Sequence, residues 1–391
     1  MSDMSAAQNS APFDADSVKA RYSAFLFGVI GVITFIVQPG LVQGLVSILN
    51  LTEQQAGFVA SAEMMGVALT TIIMSFAVKR VNWQKVALAC LLVAAVGDFA
   101  SALTADLNTL MVLRFLSGLG YGGLISISFG AVSLTKNTDR NLAVYLVWVL
   151  SYGAAGLLLM PTAFELIGLD GLFIFFGLAT LATIYFVRFL PTSLDSQHAV
   201  SDRAVNLPFN MKVVAMFGVL AYNLAQGTAW AYLFLIGTAE GLGEQVVANA
   251  LTISQVVAIF GALSSVVLAT KVRRLGPITV GVFGGALSMA ILLTDFDYTT
   301  YLIAVCGFNF LWNMVLPFIL AKVGDFDRNG GMVIYAISLQ MTGLGLGPFV
   351  GALVLGGDGF GDAITLSIFF FIASFILLLI PARARFRMLK G

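Results

Sequence analysis

The fold is decided by residues 96–123, VGDFASALTADLNTLMVLRFLSGLGYGG, in which two apolar runs meet at a short polar turn. Each run carries one charge, Asp98 before the turn and Arg114 after it, and both lie eight residues from Asp106 at the turn itself. A helix rises by about 1.5 Å per residue, so the two charges lie at a similar depth on adjacent helices. The stretch therefore predicts a helical hairpin whose buried charges form an ion pair or share a hydrogen-bond network.

Apolar runs of this kind dominate the whole chain. Of its 391 residues, 59% are hydrophobic and only 10% are charged, and the mean hydropathy is +0.96. A soluble domain carries about 25% charged residues. The runs repeat at the length of about 20 residues that a helix needs to cross a bilayer, so we expect an all-α polytopic membrane protein. The formal net charge of zero and the lack of a basic tract argue against nucleic acid as a partner.

The apolar runs between polar breaks predict twelve membrane-spanning helices in two bundles of six. The longest polar break, residues 191–210, separates the bundles. The expected organisation is an N-terminal tail (1–20), a first bundle (21–190), a linker (191–210), a second bundle (211–382) and a C-terminal tail (383–391). The predicted helices 1 to 12 cover residues 21–45, 53–78, 85–104, 108–134, 141–164, 171–190, 211–238, 245–270, 276–294, 299–322, 331–355 and 362–381.

The basic residues orient this arrangement. The chain has 20 Lys and Arg residues, and all except Arg114 lie in the tails, in the linker or in the loops after even-numbered helices and at the adjoining helix ends. The loops after odd-numbered helices contain none. Cytoplasmic segments carry the Lys and Arg excess of membrane proteins. We therefore expect both termini and the linker to be cytoplasmic, and the protein to lie in a bacterial inner membrane.

Short motifs recur in the same order in both halves, which indicates an internal duplication. The segment TDRN (138–141) follows predicted helix 4, and FDRN (326–329) follows predicted helix 10. Downstream, WVLSYGAAGLLLMPTAF (148–164) parallels YAISLQMTGLGLGPFVG (335–351). Two six-helix repeats joined by a polar linker resemble the major facilitator superfamily, in which two halves rock around a site near the bilayer midplane.

Local motifs carry this resemblance to different degrees. Arg114, Gly118 and Gly120 in LMVLRFLSGLGYGG (110–123) are similar to the helix-4 signature of the superfamily. The antiporter signature of helix 5 is degraded, because Met160 and Phe164 stand where glycines belong. The resemblance implies a secondary active transporter with helices 1, 4, 7 and 10 at its centre. The degraded signature favours uptake over export.

Three charged residues lie well away from the ends of the predicted helices, namely Glu63, Asp98 and Arg114. An unpaired charge at the centre of a membrane helix costs about 2.5–3.5 kcal/mol, so these residues need mutual partners or a water-filled cavity. We expect Glu63 or Asp98 to be a protonation site and Arg114 to modulate it. A nearby cation favours the ionised carboxylate, and dehydration disfavours it. The alternative is that Asp98 and Arg114 form a fixed pair that only ties two helices together.

Polar and aromatic side chains at helical spacing are the candidates for binding a solute. Amides combined with aromatic rings suit the orientation of a partly apolar ligand. The alternative for each residue is an interhelical hydrogen bond. The predicted substrate-binding residues are Gln38, Tyr121, Trp148, Tyr152, Asn223, Gln226, Trp230, Gln255, Asn309, Asn313, Tyr335 and Ser338.

These features predict a transporter that moves a small organic solute by alternating access, driven by protons. An organic acid drawn to Arg114 and an uncharged amphiphile are both compatible with the sequence. The rival hypotheses are a proton antiporter that exports drugs or metabolites and a membrane sensor or scaffold that does not transport. We expect a monomer in the lipid bilayer. No residue pattern indicates an enzyme, a cofactor or a metal site.

Overall fold

The computed structural model describes residues 14–193, 205–327, 331–356 and 359–388. The remaining parts of the predicted tails and linker lie outside the described residues. The helices are α1 (Val18–Gly31), α2 (Gln38–Ser47), α3 (Glu53–Ala77), α4 (Trp83–Ser101), α5 (Leu107–Ser133), α6 (Thr138–Ala182), α7 (Phe209–Ala239), α8 (Glu244–Lys271), α9 (Leu275–Ile291), α10 (Tyr298–Gly324), α11 (Gly331–Val354) and α12 (Gly361–Met388), with 3-10 turns at Phe35–Val37 and Thr183–Phe189.

The described helices cross the membrane twelve times. Nine are long and apolar enough to span it, and the bent pair α1 and α2 makes a tenth span. The stretch Arg140–Phe189 has 50 residues and holds two crossings, and the shorter apolar helix Leu275–Ile291 supplies the twelfth. The predicted all-α fold with two six-helix bundles, α1–α6 and α7–α12, is confirmed. We call the face at which α1 begins and α12 ends the terminal face, and the opposite one the far face.

The prediction of one continuous helix over residues 21–45 is wrong. The segment is bent by 52° between α1 and α2, with a 3-10 turn at Phe35–Val37. Pro39 lies in the first turn of α2, where it has no backbone N–H to donate to the Phe35 carbonyl. The Phe35 carbonyl instead accepts the 3-10 hydrogen bond of the Gln38 backbone N–H at this break near mid-membrane, and its second lone pair can accept from another partner.

The predicted loop between helices 5 and 6 is shorter than expected. In place of the break at residues 165–170, the chain stays helical from Thr138 to Ala182 except at Gly168, whose φ is 67°. A side chain disfavours this left-handed conformation, and glycine adopts it without that penalty. A single glycine therefore turns the chain from one span to the next.

The hairpin predicted from residues 96–123 is present, with its turn at Asp106. The Asp106 carboxylate caps α5 by accepting hydrogen bonds from the Thr109 backbone N–H at 2.9 Å and the Thr109 hydroxyl at 2.8 Å. These hydrogen bonds to its ionised form lower the pKa of the Asp106 carboxyl. Helices α4 and α5 then run side by side away from the far face, as the sequence predicts.

Glycines allow α3 and α5 to approach until their backbones touch. A Cβ atom on Gly118 would lie 1.9 Å from the Glu63 carbonyl oxygen, and one on Gly122 would lie 2.4 Å from the Val67 carbonyl oxygen. Gly347 plays the same part between α11 and α7, where a Cβ atom would lie 2.5 Å from the Thr228 nitrogen. Because α3 and α5 are this close, the side chains of Glu63 and Arg114 reach each other.

Among the described residues, the two bundles meet mainly where α3 packs on α11, α6 on α8, and α2 on α7. Hydrogen bonds between the bundles lie between mid-membrane and the far face. The amide of Gln43 donates to Glu244 at 3.0 Å, and that of Gln54 donates to the Ala352 carbonyl at 3.1 Å. Contacts of this kind close the far face of the protein.

Candidate functional site

A cavity of about 150 Å³ lies between the two bundles, from mid-membrane towards the terminal face. We call it the large cavity. Helices from both halves contribute to its wall, as a binding site used by two rocking halves requires. Its polar and aromatic lining residues are Thr34, Phe35, Phe129, Tyr145, Trp230, Gln255, Asn309, Trp312, Asn313 and Gln340.

Three aromatic rings lie together in the wall of the large cavity. The indole N–H of Trp230 donates to the Phe35 carbonyl at 3.0 Å, which is the carbonyl to which Pro39 has no backbone N–H to donate. The ring of Trp312 lies 6.1 Å from Trp230 and 6.3 Å from Phe35, centroid to centroid. The break in the first span is thus held by a residue of the second bundle.

Side-chain amides supply the polar part of the cavity wall. The Asn309 amide donates to the Ser254 hydroxyl at 2.9 Å, and the Asn313 amide donates to the Asn309 carbonyl at 3.0 Å. The Oε1 atom of Gln255 is buried without a hydrogen-bond partner among the described residues. A buried acceptor of this kind is costly unless a ligand or water donates to it. The wall therefore combines free hydrogen-bonding capacity with two indole surfaces.

Among the described residues, no Asp, Glu, Lys or Arg side chain lines the large cavity. The described chain also contains no group of three or more His, Cys, Asp and Glu residues placed to hold a metal ion. A charged ligand in this cavity would leave its charge without a counter-ion, and an unpaired buried charge is strongly unfavourable. The chemistry of the wall thus suits an uncharged ligand.

The three charged residues of the predicted helices come together beside this cavity. The Arg114 guanidinium contacts the Asp98 carboxylate through Nη2, and its Nη1 atom lies 3.7 Å from Glu63 Oε2. The Nε atom donates to the Ser101 hydroxyl at 3.2 Å, and the guanidinium lies 4.8 Å from the centre of the Phe173 ring. We call Glu63, Asp98 and Arg114 the charge cluster.

The two carboxylates have different surroundings. Asp98 is fully buried, one of its oxygens contacts Arg114, and the other accepts a hydrogen bond from the Tyr121 hydroxyl at 2.5 Å. Glu63 accepts a hydrogen bond from the Thr34 hydroxyl, and Thr34 lines the large cavity. Glu63 is therefore the carboxylate of the cluster that is connected to the cavity.

Four of the twelve predicted substrate-binding residues line the large cavity, namely Trp230, Gln255, Asn309 and Asn313. Two others belong to the charge cluster or its edge. Tyr121 donates to Asp98, and Gln38 lies beside Glu63 in a separate small cavity. The remaining six point elsewhere.

Three of those six donate to groups on their own helix, although Asn223 Oδ1 and Gln226 Oε1 are buried without a hydrogen-bond partner among the described residues. The Asn223 amide donates to the Val219 carbonyl, and the Ser338 hydroxyl donates to the Ile334 carbonyl, each one helical turn earlier. Gln226 donates to the Tyr222 hydroxyl at 2.9 Å. None of these three side chains lines the large cavity, because their helix faces pack between neighbouring helices.

The other three lie on different surfaces. Tyr152 donates its hydroxyl to the Ile33 carbonyl at 2.8 Å and so supports the break in the first span. Trp148 is 38% exposed with its ring 5.6 Å from Tyr22, and Tyr335 is 50% exposed with its ring 6.1 Å from Phe76. Neither Trp148 nor Tyr335 lines the cavity.

Several lining residues are absent from the predicted binding set, among them Thr34, Trp312 and Gln340. On α11 the face with Gln340 and Leu344 meets the cavity, whereas the prediction used the face with Tyr335 and Ser338. Both faces show helical spacing, so periodicity alone does not choose between them. The sequence signal for the cavity-facing side of α11 is the four-residue spacing of Gln340 and Leu344, which places both side chains on one face of the helix.

Two six-helix bundles around a central cavity define a transporter architecture, and the comparisons agree with it. The chain belongs to the Major Facilitator Superfamily, whose family model matches residues 23–347. Two similar solved structures are crystal structures of the nucleoside transporter NupG, one of them of a point mutant.

The mutant structure matches with a TM-score of 0.70 at 13% identity and covers 93% of this chain and 99% of its own. The second matches with a TM-score of 0.69 at 12% identity and covers 94% and 98%. At this identity the similarity establishes the fold. No curated protein matches the chain in sequence.

Proposed function

We propose that the protein is a proton-coupled symporter that takes up a small uncharged organic solute by alternating access. The hydrogen bond from Thr34 to Glu63 carries the proposal, because Thr34 lines the large cavity and Glu63 is buried in the charge cluster. A solute that displaces Thr34 changes the hydrogen bonding of the ionised carboxylate. Solute binding and proton binding are thereby linked through one hydroxyl group.

Glu63 is the better proton acceptor of the two carboxylates. Both oxygens of Asp98 are engaged, by Arg114 and by Tyr121, and these contacts favour its ionised form. Glu63 has a hydroxyl donor and a more distant cation at 3.7 Å. We assign Glu63 as the site that gains and loses the proton. Asp98 then remains the permanent counter-ion of Arg114.

The lining of the large cavity supports an uncharged, aromatic solute with hydrogen-bonding groups. Arg114 does not line the cavity and is already in contact with two carboxylates, so it does not attract an organic acid there. The indoles of Trp230 and Trp312 offer apolar faces to a ring, and Gln255 offers a free acceptor. Nucleosides, the class named for the two similar structures, are uncharged compounds with ring systems and several donors and acceptors.

Uptake into the cytoplasm of a bacterium is the proposed direction. The terminal face carries the Lys and Arg residues and is assigned as cytoplasmic, so the large cavity points inwards. Met160 and Phe164, which interrupt the antiporter signature, pack against Gly40 and Gly44 of α2. These bulky side chains fill the space between α2 and α6 that the glycines of the signature would leave open.

The first experiment tests the charge of the solute. Purified full-length protein is heated with benzamide, benzoate or benzylamine, which share one ring and differ in charge, and with uridine and adenosine. Ligands that bind the folded state raise the melting temperature. We expect the uncharged compounds to raise it and the two ions to leave it unchanged. Stabilisation by benzoate alone would assign an organic acid as the solute.

The second experiment tests the coupling ion and the direction. Liposomes containing the protein receive an imposed pH gradient, and accumulation of the stabilising compound is followed. An acidic exterior should drive accumulation inside, and collapsing the gradient with a protonophore should abolish it. Export against the proton flow would establish the antiporter instead. Binding without movement of the compound would support a sensor.

A further inference from the structure

A second, small cavity of about 20 Å³ lies on the other side of the charge cluster. It is lined by residues of α2, α3, α5 and α6, and it shares none of its lining residues with the large cavity. A cavity of about 10–15 Å³ is sufficient for one water molecule. The small cavity therefore has room for a single water molecule and excludes any organic solute.

Three polar side chains face this cavity, and all three are more than nine-tenths buried. They are Gln38, Glu63 and Arg114, with exposed fractions of 4%, 7% and 2%. The Oε1 atom of Gln38 and the Nη1 atom of Arg114 have no hydrogen-bond partner among the described residues. One unpaired acceptor and one unpaired donor thus meet in a space of water size.

The separation between Arg114 and Glu63 is too long for a direct hydrogen bond, and a water molecule beside the pair can reach both groups. Arg114 Nη1 lies 3.7 Å from Glu63 Oε2, which exceeds the range of a direct hydrogen bond of about 2.7–3.2 Å. Polar groups at such a separation are commonly joined through water. A buried water typically makes about three hydrogen bonds, which is the number of polar groups present here.

We propose that the small cavity is a binding site for one water molecule, which bridges Gln38, Glu63 and Arg114 and hands the proton to Glu63. The water accepts a hydrogen bond from Arg114 Nη1 and donates one to Gln38 Oε1 and one to Glu63 Oε2. The water then meets Glu63 at Oε2, whereas Thr34 donates to Oε1. Glu63 thus has a proton contact at one oxygen and a solute contact at the other.

The proton step is a simple transfer between oxygens. An incoming proton forms an O–H bond at the remaining lone pair of the water as the O–H bond that points at Glu63 Oε2 breaks and the carboxylate takes that proton, so a water molecule and a neutral carboxyl group remain. The charged neighbours of Glu63 are Arg114 on α5 and Asp98 on α4. Leu41 and Leu45 of α2 line the cavity with Val59 of α3, and separation of these helices at the far face would admit the proton. The proton role rests on the proposed function, and the water site stands independently of it.

X-ray radiolysis with mass spectrometry tests the water site without a solute. Radiolysis converts bound water to hydroxyl radicals, which label side chains in contact with it. Phe173 lines the small cavity and is 3% exposed, so bulk water does not reach it. Phe176, one turn further on the same helix and 1% exposed, lies outside the lining and is the internal control. We expect label on Phe173 and none on Phe176 in the wild-type protein.

Two variants and one matched control make the result decisive. Gln38→Leu keeps the bulk of the side chain and removes the acceptor, and Ala60→Val fills the cavity, so both should lose the label on Phe173. Gln43→Leu changes a buried glutamine of the same helix that faces Glu244, and it should keep the label. An unlabelled Phe173 in the wild type, or a label that persists in both variants, overturns the water site. If Gln38→Leu does not fold, Ala60→Val alone decides.

Transport measurements separate this inference from the proposed function. Gln38→Leu should lose proton-driven accumulation of the neutral compound while it retains exchange of that compound across the membrane. If Glu63→Gln also leaves accumulation intact, the proton-coupling proposal fails, and the Phe173 label still decides the water site. If Glu63→Gln abolishes accumulation and Gln38→Leu does not, the relay role of the water is wrong.

Discussion

At the scale of single residues, Arg114 determines how the charges inside the membrane are tolerated. Its guanidinium contacts Asp98 directly and lies 3.7 Å from Glu63, so one cation compensates two carboxylates. One proton on either carboxylate would make the cluster neutral. This balance is the physical reason for assigning a proton to the cluster, and the link through Thr34 is the reason for assigning it to Glu63.

Glu63→Gln should abolish proton-driven accumulation and leave solute exchange intact. The amide resembles the protonated carboxyl group and neither gains nor loses a proton. Accumulation and counterflow of the stabilising neutral compound are measured in the same liposomes. Glu53→Gln, at the start of the same helix and outside the cluster, is the matched control and should behave as the wild type. Uphill transport by Glu63→Gln would remove this residue from the mechanism.

Arg114→Gln should destabilise the protein more than Asp98→Asn does. The arginine change leaves two buried carboxylates without a cation, whereas the aspartate change leaves Arg114 with Glu63. Removing one partner of a buried ion pair costs about 3–5 kcal/mol. The double variant should melt at a higher temperature than Arg114→Gln alone, because no unpaired cation or Asp98 charge remains. Additive losses in melting temperature would show that the two residues do not interact energetically.

At the scale of the helices, local chain chemistry creates the connections on which the site depends. Pro39 has no backbone N–H to donate to the Phe35 carbonyl, which accepts from the Gln38 backbone N–H and from the Trp230 indole of the other bundle. Gly118 brings the α3 and α5 backbones together, so that Glu63 and Arg114 are neighbours. Both features act through the backbone, so side-chain chemistry at the site depends on them indirectly.

Gly118→Ala should destabilise the protein by about 1–3 kcal/mol, the usual range for an overpacked interior. The added methyl group would lie 1.9 Å from the Glu63 carbonyl, and a backbone atom cannot rotate away as a side chain can. Gly276→Ala is the control, because a Cβ atom there meets nothing within 4 Å. Melting temperatures of the two variants in detergent compare the positions. Equal melting temperatures would show that the α3–α5 contact is less tight than the structure indicates.

At the scale of the whole molecule, the two bundles are closed at the far face, and the large cavity extends towards the terminal face. The closing contacts are hydrogen bonds such as those of Gln43 with Glu244 and of Trp230 with Phe35. Alternating access requires these contacts to break when the bundles rock the other way. The strength of these hydrogen bonds determines the equilibrium between the conformation closed at the far face and the one closed at the terminal face.

Trp230→Phe should shift this balance towards opening at the far face. The substitution keeps an aromatic ring and removes the N–H that donates to the Phe35 carbonyl, which is worth about 0.5–1.5 kcal/mol. Spin labels at Leu103 and Thr294, in far-face loops of the two bundles, report the opening as a longer distance by electron–electron double resonance. Trp148→Phe, at a tryptophan outside the cavity, is the control. An unchanged distance distribution in Trp230→Phe would show that the hydrogen bond from Trp230 to the Phe35 carbonyl does not hold the far face closed.

The two faces should differ in access from outside the cell. A cysteine in place of Leu103, which is 86% exposed in a far-face loop, should react with a membrane-impermeant maleimide in intact cells. A cysteine in place of Arg273, in a terminal-face loop, should react only after permeabilisation. The native cysteines Cys90 and Cys306 are first replaced by serine. The opposite pattern of labelling would reverse the assignment of the cytoplasmic face.

The helix count, the two-bundle fold and the depth of the buried charges could be predicted from the sequence. Apolar length is a local property in a bilayer, and the spacing of Asp98 and Arg114 about Asp106 determines their depth from the helical rise alone. The break at Pro39 could also have been predicted, because a proline within a span removes a backbone hydrogen bond whatever surrounds it.

Only the tertiary structure decided which polar faces meet at the cavity. Asn223 and Gln255 have similar local patterns, and each has a buried side-chain oxygen without a partner among the described residues, yet Asn223 packs against α11 while Gln255 lines the large cavity. The rotation of each helix about its axis is determined by contacts with distant helices, such as the backbone approach at Gly118. Periodicity records that a polar stripe exists, and packing determines what that stripe faces.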